Sequence, residues 1–490
     1  MRLRTLVLSA AGLLAAAGSV TVLLSPAEAA TTGCSVAYHV GNSWPGGFQG
    51  DVTVTNLGDA VSSWSLGFDF PAAGQTVTQG WSATWSQSGA HVTATNAAWN
   101  GGMASGASIA LGFIGAYSGS NPVPAAFTLN GIACTGGTST PPTSPPATPP
   151  ADVAAPAVHV SGNKLLTSAG ATVRLLGVNR SGGEFACIQG NGFWDGPMDQ
   201  ASVTAMRSWK IRAVRVPLNE ECWLGTADVP APYGGAAYQA QVRNYVNLLV
   251  ANGITPIVEM HWNYGQYTGP SSGCADVKAT CQKPMPDAQY GPSFWTGVAT
   301  AFKGDDAVIF DLFNEPYPER ATGDATSGWQ CWRDGGACAG IGYPVAGFQS
   351  LVDTVRATGA TNVILIGGLA YSNDLSQWLT YKPVDPRNNL AAFAHVYNFN
   401  TCAATSCWDA QLGPVAASVP LTLSEIGEND CAHGFVDGLM DWADAHAVGY
   451  LGWTWNTWDC GSGPSLIVDQ SGTPTAYGQG LKTRLARVSS

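Results

Sequence analysis

The sequence predicts two folded modules, a small antiparallel β-sandwich followed by a (β/α)8 barrel, and three observations carry that prediction. Residues 135–156, "TGGTSTPPTSPPATPPADVAAP", are rich in proline and lack aromatic residues. Such a stretch has nothing to bury and reads as an extended spacer, with Thr and Ser available for O-glycosylation. Before it, short runs such as "GDVTVTNLG" and "AHVTATNAAW" alternate Val and Thr between Gly, Asn and Ser turns, the pattern of a β-sandwich. After it, eight strand-like runs ("VRLLGVN", "IRAVRVPL", "TPIVEMHW", "VIFDLFNEP", "NVILIGG", "AAFAHVYN", "PLTLSEIG", "GYLGWTWN") alternate with helical stretches such as "AYQAQVRNYVNLLVANG" and "VDGLMDWADAHAV". Eight β/α units over roughly 330 residues suit a barrel. A doubly wound sheet is the alternative, but "GVNRSGGEF" poorly matches the Gly-rich turn expected after its first strand.

The N-terminus, "MRLRTLVLSAAGLLAAAGSVTVLLSPAEAA", places Arg2 and Arg4 before an apolar run that ends in Ala27-Glu28-Ala29. This predicts a signal peptide over 1–29, a mature start near Ala30 and an extracellular destination. The expected organisation is signal peptide 1–29, sandwich 30–134, linker 135–156 and barrel 157–490. With 11% charged residues, a formal net charge of −12 and no Lys/Arg run, nucleic acid and anionic membranes are poor partners. Eighteen tryptophans in a weakly charged chain favour ligands with flat apolar faces and hydroxyls, a description that carbohydrate meets. Nothing in the sequence calls for more than a monomer. Twelve cysteines without a CxxC pair favour disulfides over zinc. Neighbours in sequence suggest Cys34–Cys134, Cys187–Cys222, Cys274–Cys281, Cys331–Cys338, Cys402–Cys407 and Cys431–Cys460, with the connectivity left open.

A barrel gathers the C-terminal ends of its strands on one face, so residues distant in sequence share a site there. Polar residues recur at these ends: Arg215 in the second strand, His261 ending the third, Asn314 and Glu315 the fourth, His395 and Tyr397 the sixth, Glu425 the seventh and Trp453 the eighth. The barrel module holds only eight glutamates, and two occupy these ends. Two carboxylates facing one cleft can cleave a glycosidic bond, one donating a proton to the leaving oxygen while the other attacks the anomeric carbon. Taken singly, each residue has an ordinary structural explanation; their joint placement points to a site. Glu428 stands three residues past Glu425, where a loop would begin, and is the weaker nucleophile candidate. Asp311 and Glu259 lie deeper in their strands and read as interior partners. A metal-dependent barrel would carry an early His-x-His, which "GVNRSGG" lacks, so neither metal nor cofactor is expected.

These motifs, "VRVP", "EMHW", "FNEP", "HVY", "LSEIG" and "GWTWN", resemble those of glycoside hydrolase family 5, retaining barrels that include many cellulases. The resemblance covers roughly 157–490. It implies Glu315 as acid/base and Glu425 as nucleophile, Asn314 on the sugar 2-hydroxyl, Tyr397 orienting the nucleophile, His395 beside the acid and His261 on a hydroxyl. It makes Trp453 the stacking floor of the −1 subsite, with Trp455 the weaker candidate; Arg215 would hold the nucleophile ionised.

Residues 34–134, through "GFQGDVTVTNLG", "GWSATWSQSG" and "NAAWNG", resemble the family 2 carbohydrate-binding modules. That resemblance implies a cellulose-binding row formed by Trp44, Trp81 and Trp99, since a flat row of indoles stacks on successive glucose faces. Trp64 is assigned to the sandwich core, and Trp85 is left open. The expected activity is hydrolysis of β-1,4-glucan, on cellulose surfaces and soluble chains, by double displacement. Mannan, xyloglucan or a β-glucoside or diglycoside is the alternative substrate, and a non-catalytic carbohydrate-binding protein is the more distant reading. Two long loops, 263–293 and 317–343, each with a close cysteine pair, are expected to wall one end of the cleft.

Overall fold

A computed structural model describes residues 33–44, 46–97, 100–134, 154–459 and 463–488. The chain divides into two compact units between residues 147 and 148. The first pairs a four-stranded antiparallel sheet (order Cys34–Trp44, Gly47–Asn56, Ser108–Ala116, Thr76–Trp81) with a five-stranded one (Ala83–Ser88, His91–Asn96, Ser65–Asp69, Phe127–Leu129, Ile132–Ala133). Alternation decides which side chains enter the core: in Gly47–Asn56, Phe48, Val52 and Val54 are buried while Thr53 is exposed. Trp64 is buried, as expected, and its indole N–H donates to the Asn100 carbonyl at 2.8 Å. The Cys34–Cys134 disulfide joins the ends of this unit.

The second unit is a closed barrel of eight parallel strands: β1 (Leu176–Asn179), β2 (Ala213–Asn219), β3 (Thr255–Trp262), β4 (Ile309–Asp311), β5 (Ile364–Ile366), β6 (Leu390–Tyr397), β7 (Leu421–Gly427) and β8 (Gly449–Gly452). Every strand predicted from sequence is present. The strands are buried on both faces, which is why they read as near-continuous apolar runs. One set of side chains packs outward under the helices (Val214, Val216, Val258, Met260, Phe310, Ile364), while Ala213, Ile257, Ile309, Leu365, Ala391 and Leu451 form a separate apolar cluster. Val158 and Leu165 of a preceding three-stranded sheet join that second cluster.

Period-two alternation then determines what stands above this layer. Two residues beyond Ala213, Ile257 and Ile309 come Arg215, Glu259 and Asp311; two beyond Glu259 comes His261. The same step on β6 runs from Ala391 through Phe393 to His395 and Tyr397. A floor of aliphatic side chains therefore carries a layer of charge, and the reactive face lies above it. Gly177 permits the close approach of β1 to β2, since a Cβ there would stand 1.8 Å from the Ala213 carbonyl oxygen.

The predicted helices appear as Ala236–Ala251 and Gly434–Ala445. Five of the suggested cysteine pairs are bonded. Cys431 is also disulfide-bonded, and its suggested partner Cys460 lies outside the described residues. The loop expected over 317–343 instead contains helices Pro318–Thr322 and Ala325–Asp334, because Trp329 and Trp332 supply a buried face that packs into the barrel's outer core. Ala155 is buried, and its N–H donates to the Val250 carbonyl, so the barrel unit engages the chain before residue 157.

Because each unit has its own core, removal of residues 30–147 should leave hydrolysis of soluble substrates within about twofold of the full chain. Adsorption to crystalline cellulose, and the activity that depends on the raised local concentration there, should fall sharply. Sedimentation binding and product release on both substrates check this; equal losses on both would show that the barrel depends on the sandwich.

Candidate active site

The strand-end residues converge on one buried cation. Arg215 donates from Nε to Asp311 Oδ2 at 2.8 Å, from Nη1 to Glu425 Oε1 at 2.7 Å and to Asn179 Oδ1 at 3.2 Å, and from Nη2 to Asn314 Oδ1 at 2.9 Å. Glu259 Oε2 lies 3.5 Å from Nη2. Burial works against the guanidinium, but Glu259, Asp311 and Glu425 outweigh it and raise its pKa. Burial pushes Glu259 up to about 8, against the pull of Arg215, and raises Asp311 well above the ordinary carboxylate range.

Glu425 receives Arg215 on one oxygen and the Tyr397 hydroxyl on the other, at 2.7 Å. Both oxygens thus accept from donors. Glu315 has a different setting. One oxygen pairs with His395 Nδ1 at 2.8 Å, and 20% of the side chain opens to the cavity. Burial raises its pKa, offset by His261, Gln282 and Arg215. Burial also lowers His395 to about 3, so the ring is neutral across the physiological range, with Nε2 held by Ser424 Oγ at 3.0 Å. An oxygen of Glu315, one of Glu425 and a ring nitrogen of His395 lie within 4.8 Å of one another.

Around this pair, His261 is fixed through Nδ1 by Glu259 at 2.5 Å and stacks on Trp453, with centroids 5.7 Å apart and planes 19° apart. Trp455 is instead fully buried, edge-on to Trp209 at 4.9 Å, so of the two tryptophans Trp453 reaches the cavity. Glu428 faces elsewhere: it accepts the N–H groups of Phe435 and Val436 in the first turn of Gly434–Ala445 and serves as a helix cap.

A cavity of about 410 Å³ is lined by His261, Asn314, Glu315, Tyr397, Glu425 and Trp453, together with Tyr371, Phe399, Asn400 and Pro464. No residue lining this cavity comes from 263–293 or 317–343. The first of them acts from behind, where Gln282 accepts from Asn314 Nδ2 at 2.9 Å and donates to the Glu315 carbonyl at 2.7 Å. Tyr371, after β5, was not legible in the sequence. It stands in a run of three left-handed residues, Ala370, Tyr371 and Ser372, with φ of 51°, 61° and 59°, a conformation costing about 1–3 kcal/mol per residue. Bonds from Tyr371 N to the Pro316 carbonyl and from Ser372 Oγ to the Asn314 carbonyl hold it. A second cavity of about 370 Å³ is lined by Phe185, Trp194, Asp195, Trp262 and Trp458.

On the sandwich, the Trp81 ring covers Gly112, where a Cβ would come within 2.3 Å of Cζ2, and the residue is 38% exposed. Trp85 is partly buried against Phe113, with centroids 5.0 Å apart. The Trp44 side chain and Trp99 lie outside the described residues.

A (β/α)8 barrel with two close carboxylates in a polar, aromatic cavity defines a glycoside hydrolase. Residues 176–459 match the model of the cellulase family (glycosyl hydrolase family 5), and the chain belongs to that family. Residues 34–134 match the cellulose binding domain model. Endoglucanase CelA of Streptomyces lividans is 30% identical across 95% of each chain. Exoglucanase B of Cellulomonas fimi is 57% identical over 103 residues, covering 21% of this chain and 9% of that one. The structure of a β-glucanase from Saccharophagus degradans in complex with cellotetraose shares the fold, with a TM-score of 0.52 and 19% identity over 68% of this chain and 94% of that chain.

The raised pKa of Glu315 fixes the sign of one pH effect. A group that must donate a proton is lost as pH rises through its pKa, so kcat/KM for cellobiosides with poor leaving groups should fall on an alkaline limb above the ordinary glutamic acid value of about 4.3. In Glu315→Gln that limb should vanish from the residual activity on the same cellobiosides. Persistence of the same limb in the variant would assign the titration to another group.

Proposed function

We propose that the protein is a secreted, retaining endo-β-1,4-glucanase that docks on cellulose through residues 34–134 and cleaves chains at the barrel mouth. The observation that carries this is the spacing of Glu315 and Glu425, with oxygens within 4.8 Å. This supports a retaining pair, whose carboxyl groups stand about 5–5.5 Å apart, over an inverting one at about 6.5–9.5 Å. Glu425, gripped by Arg215 and Tyr397, attacks the anomeric carbon. Glu315 protonates the leaving oxygen and then, as a carboxylate, takes the proton of the incoming water. Neutral His395 can exchange hydrogen-bond roles with Glu315 as that proton comes and goes. Asn314, oriented by Arg215 and Gln282, is placed for the 2-hydroxyl. His261 binds a hydroxyl, and Trp453 supplies the apolar floor for the −1 sugar.

The β-1,4-glucan assignment is supported by the cellulase family and by the endoglucanase relative that spans nearly the whole chain. Trp81, with Trp44 and Trp99, forms the cellulose-binding row in this reading. Secretion is supported by the N-terminal sequence and by disulfides that need an oxidising compartment. Among the described residues no helix is long and apolar enough to cross a membrane. The signal peptide, the linker and the boundaries near 134 and 156 belong to the same proposal, as does a monomeric state.

Glu425→Ala should reduce hydrolysis of aryl β-cellobiosides by on the order of 10³-fold or more. Azide should restore turnover and yield the α-glycosyl azide, because the anion enters from the face the carboxylate vacated. Nuclear magnetic resonance of the product checks this. A β-azide from Glu425→Ala would reverse the roles of the two glutamates.

A further inference from the structure

The loop after β3 carries a buried cation that takes no part in the chemistry above. Lys283 is fully buried. Its ammonium donates to the Asp276 carbonyl and stands 3.4 Å from both Cys274 Sγ and Cys281 Sγ, the two halves of one disulfide. None of these three acceptors is charged, and burial lowers the lysine pKa to about 8 against the opposing pull of Asp276 and Glu221. The Thr280 hydroxyl lies 3.7 Å from Cys274 Sγ and can donate to it as well. A buried ammonium that touches two sulfurs and no anion stabilises a thiolate there more than it stabilises the disulfide.

Both cysteines of this bridge are only half-buried, so a small thiol can reach it. In the other four bridges between described cysteines, at least one partner is packed into a hydrophobic core: Cys187 and Cys222, Cys331 and Cys402 in the barrel, and Cys34 in the sandwich. Expulsion of a thiolate into such surroundings is costly, since apolar burial raises the pKa of a thiol. Ring size does not account for the contrast, because Cys331–Cys338 has the same sequence separation of 7 as Cys274–Cys281.

We propose that Cys274–Cys281 is a thiol-exchange site, with Lys283 holding the departing thiolate, and that its opening weakens catalysis through Gln282. The backbone is anchored at Ala279, whose N–H donates to Glu221 Oε2 and whose carbonyl accepts from Asn219 Nδ2, and at Pro284, whose carbonyl accepts from Tyr317 N. Between these anchors Gln282 is flanked by Cys281 and Lys283. Its carbonyl accepts from the Tyr317 hydroxyl at 3.3 Å, and its side chain bonds Asn314 and the Glu315 carbonyl. In the exchange, a thiolate of a small dithiol attacks one cysteine sulfur: a mixed disulfide forms, the Cys274–Cys281 bond breaks, and its electron pair leaves on the other sulfur beside the ammonium. The second thiol of the reductant gives its proton to solvent and closes on the mixed disulfide, releasing the second cysteine as a thiolate. The protein gains two electrons and the dithiol loses two. The link to catalysis rests on the roles of Asn314 and Glu315 proposed above; the exchange itself does not.

The test exposes the native full chain to graded dithiothreitol at pH 7, quenches with iodoacetamide, and quantifies alkylation of each cysteine by peptide mass spectrometry. Cys274 and Cys281 should be labelled together, about tenfold or more faster than the Cys34–Cys134, Cys187–Cys222, Cys331–Cys338 and Cys402–Cys407 pairs. Lys283→Met should slow their labelling by about tenfold and leave those four pairs as protected as before, which also shows that the variant is folded. Earlier opening of one of those four pairs, or undiminished labelling in Lys283→Met, would overturn the exchange site. In chains opened only at Cys274–Cys281, kcat for 4-nitrophenyl β-cellobioside should fall by about threefold or more and return on reoxidation. Selective opening with an unchanged kcat would overturn the link through Gln282, whatever the stereochemistry of hydrolysis; a first-formed α-anomer from the unreduced enzyme would instead overturn the retaining reading.

Discussion

A single buried guanidinium organises this barrel. Arg215 is fully buried, and three carboxylates and two asparagines meet it. Its desolvation is tolerable because those groups surround it, and they in turn are held because it is there. Removal of one partner of such a pair leaves an uncompensated buried charge, a cost of about 3–5 kcal/mol. The constraint reaches the chemistry directly. The same guanidinium that bonds Asp311 below grips one oxygen of Glu425 above and orients Asn314 at its side, so the positions of Glu425 and the Asn314 amide share one origin.

What allows one arginine to reach so many partners is strand periodicity. Because side chains alternate, an aliphatic layer built from Ala213, Ile257 and Ile309 is followed two residues later by Arg215, Glu259 and Asp311, and then by His261. The two glutamates have different surroundings. Glu425 accepts from a cation and a phenol, whereas Glu315 lies beside a neutral histidine in a buried, partly apolar wall that favours its protonated form.

Much of this was legible in the sequence, and the pattern of what was not is physical. Strand ends announce themselves when an apolar run stops on Asn-Glu-Pro or Ser-Glu-Ile, so Glu315 and Glu425 could be located, and Arg215 stood out as a charge inside "AVRVPL". Glu259 and Asp311 were expected as interior partners from their depth in the strands, and they are. Gln282, Tyr371 and Phe399 carried no such signal. They sit on loops, where placement depends on long-range bonds such as Gln282 to Asn314 or on left-handed backbone at residues 370–372 that no glycine marks. In 317–343 length is visible in the sequence and packing is not; Trp329 and Trp332 draw part of it against the outer core.

The central claim is that Glu425 forms the covalent bond to the sugar. Incubation with 2,4-dinitrophenyl 2-deoxy-2-fluoro-β-cellobioside, which slows release from the enzyme more than attack, followed by proteolysis and tandem mass spectrometry, tests it most directly. The account predicts one glycosyl adduct per chain, on Glu425. An adduct on Glu428, Glu315 or Glu259, or steady inactivation without any adduct, would contradict it.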